Sequence, residues 1–243
     1  MDHRMSGCDG YKGKAVSEDM VLQCGSDFHN VHSVIFRRQS SWFAAIIADT
    51  SYDSFGMKHI NMEDKDPYMA ELIVEYMYEQ DYTIEFDATM YCNPMDSDVQ
   101  DALSAQCDQE LLVLENNPAA APSQSTEAGI KAQSPTHMVV HAMMYNLAIH
   151  FDIYNLKELA RRKFKMCAKA HRTSPVFPIA LREVWMGEDE DNVGLKDIVV
   201  DILASEPELW KLENTDELLR ELPGLGLAVF NKRGGGRDLW GVL

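Results

Sequence analysis

Between Asp19 and Tyr82 the hydrophobic pattern changes period repeatedly, and this alternation limits the fold more than any other feature of the chain. Met20-Val21-Leu22-Gln23-Cys24 is a short apolar run closed by Gly25-Ser26-Asp27, the pattern of a strand and a tight turn. Phe28–Val31 is expected to return as a second strand. Phe28 and Val31 would face opposite sides of a regular strand, so a β-bulge is expected between them. Ser33–Arg38 opens with a serine able to cap one or two helical turns. Ser40 can cap a second helix, in which Phe43, Ile46 and Ile47 recur at i, i+3 and i+4. Asp49–Gly56 has the composition of a loop. Lys58–Met62 alternates, with Ile60 and Met62 on one face of a half-buried strand. Asp66-Pro67 then gives a helix start, an Asp cap followed by Pro at the first helical position. Met69, Leu72, Ile73 and Tyr76 supply that helix with a buried stripe ending near Asp81. Short strands interleaved with helices predict an α+β fold built on a small mixed sheet.

From Asp87 to Pro135 the pattern collapses. Asp96, Asp98 and Asp101 are followed by the low-complexity run from Asn116 to Ser125, and only Leu111–Leu114 could form a short element. The stretch lacks the apolar surface needed to offset ordering entropy, so residues 88–135 read as an insertion. Periodicity returns at Thr136. Val140, Met144, Leu147 and Phe151 form one helical stripe, and Leu156, Leu159, Ala160, Phe164 and Cys167 a second, with Asn155 as the expected cap. The short turn between them predicts an antiparallel helix pair. Ser174-Pro175 restarts a helix carrying Phe177, Ala180, Leu181 and Val184. The acidic run Glu188–Asp191 is expected to be a solvated turn without the spaced ligands of a calcium loop. Leu195, Ile198, Val199, Ile202 and Leu203 mark a further amphipathic helix stopped at Pro207, and Asp216–Leu222 a shorter one broken by Pro223-Gly224. Residues 1–16 read as a flexible arm and 233–243, with Gly234-Gly235-Gly236, as a flexible tail.

The formal net charge is -17, which disfavours nucleic acid and anionic membrane as partners and favours basic protein surfaces. The five cysteines (Cys8, Cys24, Cys92, Cys107 and Cys167) are odd in number and widely spaced, unlike a disulfide framework or a zinc ribbon. There is no signal-peptide pattern, and no apolar run approaches the roughly 18 residues of a membrane helix. An intracellular location, cytoplasmic or nuclear, is expected.

No reaction centre emerges. His137 and His141 stand at i, i+4, a spacing that can hold a metal, but residue 138 is Met where a metalloprotease helix needs Glu. A solvated helix start is expected there instead. Asp19, His32 and Ser40 hold the residue types of a nucleophilic triad without a G-x-S-x-G elbow. No glycine loop is followed by Lys-Ser/Thr to cradle phosphate. Catalytic residues, metal, cofactor and small-molecule substrate are all expected to be absent.

Ser17-Glu18-Asp19-Met20-Val21-Leu22, Val31-His32 and Ser40-Ser41-Trp42-Phe43 together resemble the opening of a BTB/POZ domain. Tyr76-Met77-Tyr78 resembles that family's Tyr-x-Tyr ending of a helix. Tyr145-Asn146-Leu147-Ala148, Phe151-Asp152-Ile153 and Leu156–Ala160 resemble its last helix pair. With Gly194-Leu195-Lys196-Asp197, the chain is most similar to BTB proteins of filamentous fungi. The resemblance implies a BTB/POZ domain over residues 17–170, interrupted by the insertion, and a helical C-terminal extension over 171–232. It implies a non-catalytic protein-interaction scaffold that forms homo- or hetero-oligomers; some family members are adaptors for cullin-based ubiquitin ligases. Asp19, Met20, Phe36 and Trp42 are the residues placed near such an interaction surface, and His32, Ser40 and Tyr78 are given structural roles. Ser33 stands where a basic residue commonly follows the histidine, and Ala48–Lys58 contains no Glu of the cullin-docking motif.

Overall fold

The computed structural model describes residues 17–62, 65–85, 134–186 and 193–234. The expectations for the N-terminal arm, for most of the insertion with Leu111–Leu114, for the acidic turn and for the tail beyond Gly234 lie outside these residues. The chain divides into two compact units that part between Tyr82 and Thr83.

In the first unit, strand β1 (Met20–Cys24) lies at the centre of a three-stranded sheet, antiparallel to β2 (Asp27–Val31) and parallel to β3 (Lys58–Asn61). Both edges of β1 are paired, and its side chains are buried on both faces, Met20, Leu22 and Cys24 on one and Val21 on the other. Gly25 turns the chain at φ 58, a left-handed conformation that glycine adopts without a Cβ penalty. The β1–β2 ladder is unbroken from Met20↔Val31 to Cys24↔Asp27, so the expected bulge is absent. Val31 is buried and Phe28 is 62% exposed; the two apolar residues simply face opposite sides. One exposed aromatic is tolerable at a surface, and no bulge is needed to hide it.

Helices α1 (Ser33–Gln39) and α2 (Ser41–Asp49) cross from β2 to β3, and α3 (Pro67–Glu79) follows β3. The Asp66 carboxylate accepts from the amides of Tyr68 and Met69 at 2.9 and 3.2 Å, with Pro67 in the first turn. Helix α3 buries Met69, Leu72, Ile73 and Tyr76, the predicted stripe, and Ala70 and Met77 besides. Gln80 ends it in the left-handed region at φ 58.

The second unit is helical in its described residues: α4 (His137–His150), α5 (Tyr154–Ala170), α6 (Val176–Met186), α7 (Val193–Ser205), a 3-10 turn (Pro207–Lys211), α8 (Glu213–Glu221) and α9 (Pro223–Gly234). Helix α4 packs against α5 and α6. It buries residues around most of its circumference, including Met138, Val139, His141, Ala142 and Tyr145 beside the predicted Val140 and Met144. Helix α5 starts at Tyr154 and not at an Asn155 cap; Asp152 makes the preceding turn at φ 49. Pro223 does not end the helical region. It begins α9, because a proline in a first helical turn sacrifices no intrahelical hydrogen bond. Leu225 and Val229 anchor that helix in the core. Among the described residues no helix is long and apolar enough to cross a membrane.

Candidate interaction surface

Asp19 sits at the junction of the sheet and α1. Its amide donates to the Val31 carbonyl at 3.2 Å, and its own carbonyl accepts from the Lys58 amide at 3.0 Å. This holds Asp19 between β2 and β3, so that its carboxylate meets the start of α1. One oxygen accepts from the Ser33 amide at 2.7 Å and the other from the Ser33 hydroxyl at 2.6 Å. His32, at the N-cap position, makes no side-chain cap bond, so Asp19 satisfies the helix end from across the sheet. The Asp19 carboxylate thus meets a hydroxyl at Ser33, the position where the resemblance expects a basic residue after the histidine. Asp19→Ala should cost about 1–2 kcal/mol of stability, the range for losing a helix cap. A double-mutant cycle with Ser33→Ala should give a coupling energy well above zero, whereas strictly additive losses would show that the pair does not interact.

The other predicted residues divide by burial. Met20 and Phe36 are each 0% exposed and lie in the core, so neither presents surface to a partner. Phe36 meets Phe43 edge-to-face at 5.1 Å, and Phe43 meets Trp42 at 4.9 Å. Trp42 and Asp19 are half-buried and keep some accessible surface. The Tyr78 hydroxyl accepts from the His32 amide at 3.0 Å and lies 2.8 Å from His32 Nδ1, tying α3 to the β2–α1 turn. The Ser40 hydroxyl accepts from the Phe43 amide at 2.9 Å and so caps α2.

Sequence reasoning missed the segment between α2 and β3. The Asp53 carboxylate accepts from the amides of Phe55 and Met57, each at 2.8 Å, and pairs with His59 Nε2 at 2.9 Å. The Met57 amide bond, then the His59 contact, hold the Asp53 carboxyl below its ordinary range. Asp53 therefore organises a fixed turn, and that turn presents Tyr52 (61% exposed) and Phe55 (88% exposed) to solvent. The available signal was an Asp two residues before an amide it can accept, the Asx-turn pattern. At the end of the segment, Lys58 is buried on the apolar face of β3 beside Ile60 and Met62. Its ammonium donates to the carbonyls of Ile47 and Thr50, the latter at 2.7 Å, and lies 4.6 Å from the Tyr52 ring centre.

His137 and His141 do not form a solvated helix start. Their rings are 6.4 Å apart, but His141 is buried, because α4 is covered on that side. Burial, then the charges of Lys163 and His137, hold His141 well below the ordinary histidine value. Among the described residues no group of three or more His, Cys, Asp or Glu could hold a metal ion. Cys24 donates to the carbonyls of Met62 and Lys65, and burial pushes the Cys167 thiol up to about 12. Both thiols should resist iodoacetamide in the folded protein and react once it is denatured. Peptide mapping that finds either alkylated as fast in native as in denatured protein would contradict this burial.

A family model described as BTB/POZ domain matches residues 13–111. The fold agrees: a small mixed three-stranded sheet with flanking helices, followed by a helical C-terminal region, is the α+β architecture of a BTB domain. The match ends inside the stretch read as an insertion, before α4 and α5. No curated protein matches the chain. BTB/POZ domains are protein-interaction domains and generally non-enzymatic, so protein partners are implied for this chain.

Proposed function

We propose that this chain is a non-catalytic interaction protein that self-associates or pairs with another protein through its sheet-bearing unit. The observation that carries the reading is the BTB/POZ match over the same residues that build the β1–β2–β3 sheet and α1–α3. Exposed apolar side chains on that unit supply contact area: Phe28 on β2 at 62% and Val34 on α1 at 51%. Burying such side chains is favourable by about 25 cal/mol per Å² before association costs. Light scattering after size exclusion, from low to high micromolar protein, tests the self-association form. A dimer that Phe28→Ser and Val34→Ser weaken together supports it; a monomer throughout removes it. The proposed BTB unit extends through α4 and α5 to residue 170, and the filamentous-fungal kinship rests on the sequence resemblance.

A second reading, adaptor to a cullin-based ubiquitin ligase, is favoured by the fixed turn after α2, whose Tyr52 and Phe55 are exposed where family members dock a cullin. The motif's Glu is missing from this segment. Co-purification of the chain with a cullin N-terminal domain, lost on Phe55→Ala, supports it. Failure to associate at micromolar concentrations removes it.

A further inference from the structure

The outward face of α5 carries a charge pattern that the described residues around it do not explain. Seven of the chain's 22 Lys and Arg fall between Lys157 and Arg172, with Glu158 the single acid among them, although the chain as a whole is -17. The buried face of α5 is Leu156, Leu159, Ala160, Phe164, Cys167 and Ala168. Turned away from it, at successive spacings of four, four, three and four, stand Tyr154, Glu158, Arg162, Lys165 and Lys169. These residues share one face, because three- and four-residue steps keep a helix on one side, and they span about 22 Å at about 1.5 Å per residue.

Several of the cations have intramolecular roles. Arg161 pairs with Glu158 at 3.5 Å, Arg172 pairs with Glu206 and donates to the Lys169 carbonyl, and Lys157 lies over the Tyr145 ring. Arg162, Lys165 and Lys169 are exposed and pair with no acid among the described residues. The helix dipole accounts for a cation only in the last turn, and only Lys169 lies there. Arg162 and Lys165 stand further back, where like charges three apart weaken an isolated helix. Tyr154, 70% exposed at the N-terminal end of the same face, adds an uncharged aromatic anchor.

We propose that this face of α5 is a docking strip for an acidic helical segment of a partner protein. The partner's carboxylates, spaced three and four residues apart, would meet Arg162, Lys165 and Lys169, and an apolar side chain at one end would cover Tyr154. Arg and Tyr are residues that concentrate binding energy at protein interfaces. Nucleic acid fits less well. Three cations in one row match few phosphates, and the remaining charge of the chain repels a polyanion. The strip lies outside the 13–111 match and does not depend on the BTB reading.

The probe is a fluorescein-labelled helical peptide with Glu at alternating three- and four-residue spacings and Leu at one end. Its binding to the full chain is read by fluorescence anisotropy. Saturable binding is expected, weakened by added NaCl, reduced several-fold by Tyr154→Ala, and reduced at least about tenfold by combined R162E, K165E and K169E. Should the charge reversal change the circular dichroism, the combined R162Q, K165Q and K169Q variant replaces it with the same expected direction. The proposal is overturned if the peptide does not bind, if both charge variants bind it as well as the parent chain does, or if a single-stranded oligonucleotide binds more tightly than the peptide.

Discussion

Lys58→Ala is expected to destabilise the sheet-bearing unit by about 2–4 kcal/mol, far beyond the roughly 0.5 kcal/mol typical of surface lysines. The carbonyls that Lys58 satisfies belong to the end of α2: Ile47 in its last turn and Thr50 at its C-cap. These groups have no intrahelical donor, and the helix dipole places partial negative charge there. Removing the ammonium leaves buried acceptors unmet, and removing the stem leaves space beside Ile60 and Met62. Lys58→Met separates the two effects: it keeps most of the packing, loses the donor, and should fall between alanine and the parent protein. The chain divides into two units, so a single global transition is an unsafe readout. Amide hydrogen exchange resolves the region. Protection at Ala48–Phe55 should drop in both variants while protection in α7 stays unchanged. Unchanged exchange at the end of α2 would show that Lys58 does not hold it. The same experiment bears on function, because the turn that presents Tyr52 and Phe55 is fixed between α2 and Lys58. Loosening it should weaken any complex that uses those aromatics.

Lys58 also shows where sequence reasoning stops. The alternation of Lys58–Met62 revealed the strand and the faces of Ile60 and Met62. Lysine on that face contradicts the pattern unless a partner exists, and the partner is a helix end reached only through the tertiary fold. The Asp19–Ser33 pair is hidden for the same reason: fourteen positions and a strand hairpin separate its members. Local signals fared better. Asp66-Pro67 and the spacing from Met69 to Tyr76 locate α3 because cap, proline and stripe all act within one element. The stripe from Leu195 to Leu203 locates α7 likewise. Phe28 misled, since nothing local tells which apolar residue a fold leaves exposed. Pro223-Gly224 misled, since the same dipeptide can end one helix and open the next. Helix α4 was legible as a helix but not in its burial, because neighbours cover sides that its amphipathic stripe leaves out. The BTB reading drew on the order of several weak local motifs; those from Asp19 to Tyr78 fall in the unit built on the three-stranded sheet, and those from Tyr145 to Ala160 fall in the helical unit.

That coverage gives His141 the second large effect, a loss of stability on mild acidification. In the folded chain desolvation, with the charges of Lys163 and His137, keeps the ring neutral well below 6.5. In the unfolded chain it titrates near the ordinary value of about 6.5. Between the lowered folded value and 6.5 the unfolded state binds a proton that the folded state refuses, so stability rises with pH across that window. The contribution is fully present above 6.5 and is lost as pH falls toward the folded value, at no more than about 1.4 kcal/mol per pH unit for one proton. Glu183 acts with the opposite sign. Burial raises its carboxyl above 4.5, so its contribution is present below 4.5 and lost as pH rises through the raised value. Comparing two proteins that both keep Glu183 cancels it. His141→Leu removes the titrating ring while keeping an apolar side chain in the buried site, so its denaturant midpoint should fall less than the parent's as the buffer is taken from pH 7 to pH 5. Parallel pH profiles for the two proteins would mean that His141 titrates alike in the folded and unfolded chain, which its burial in α4 does not allow.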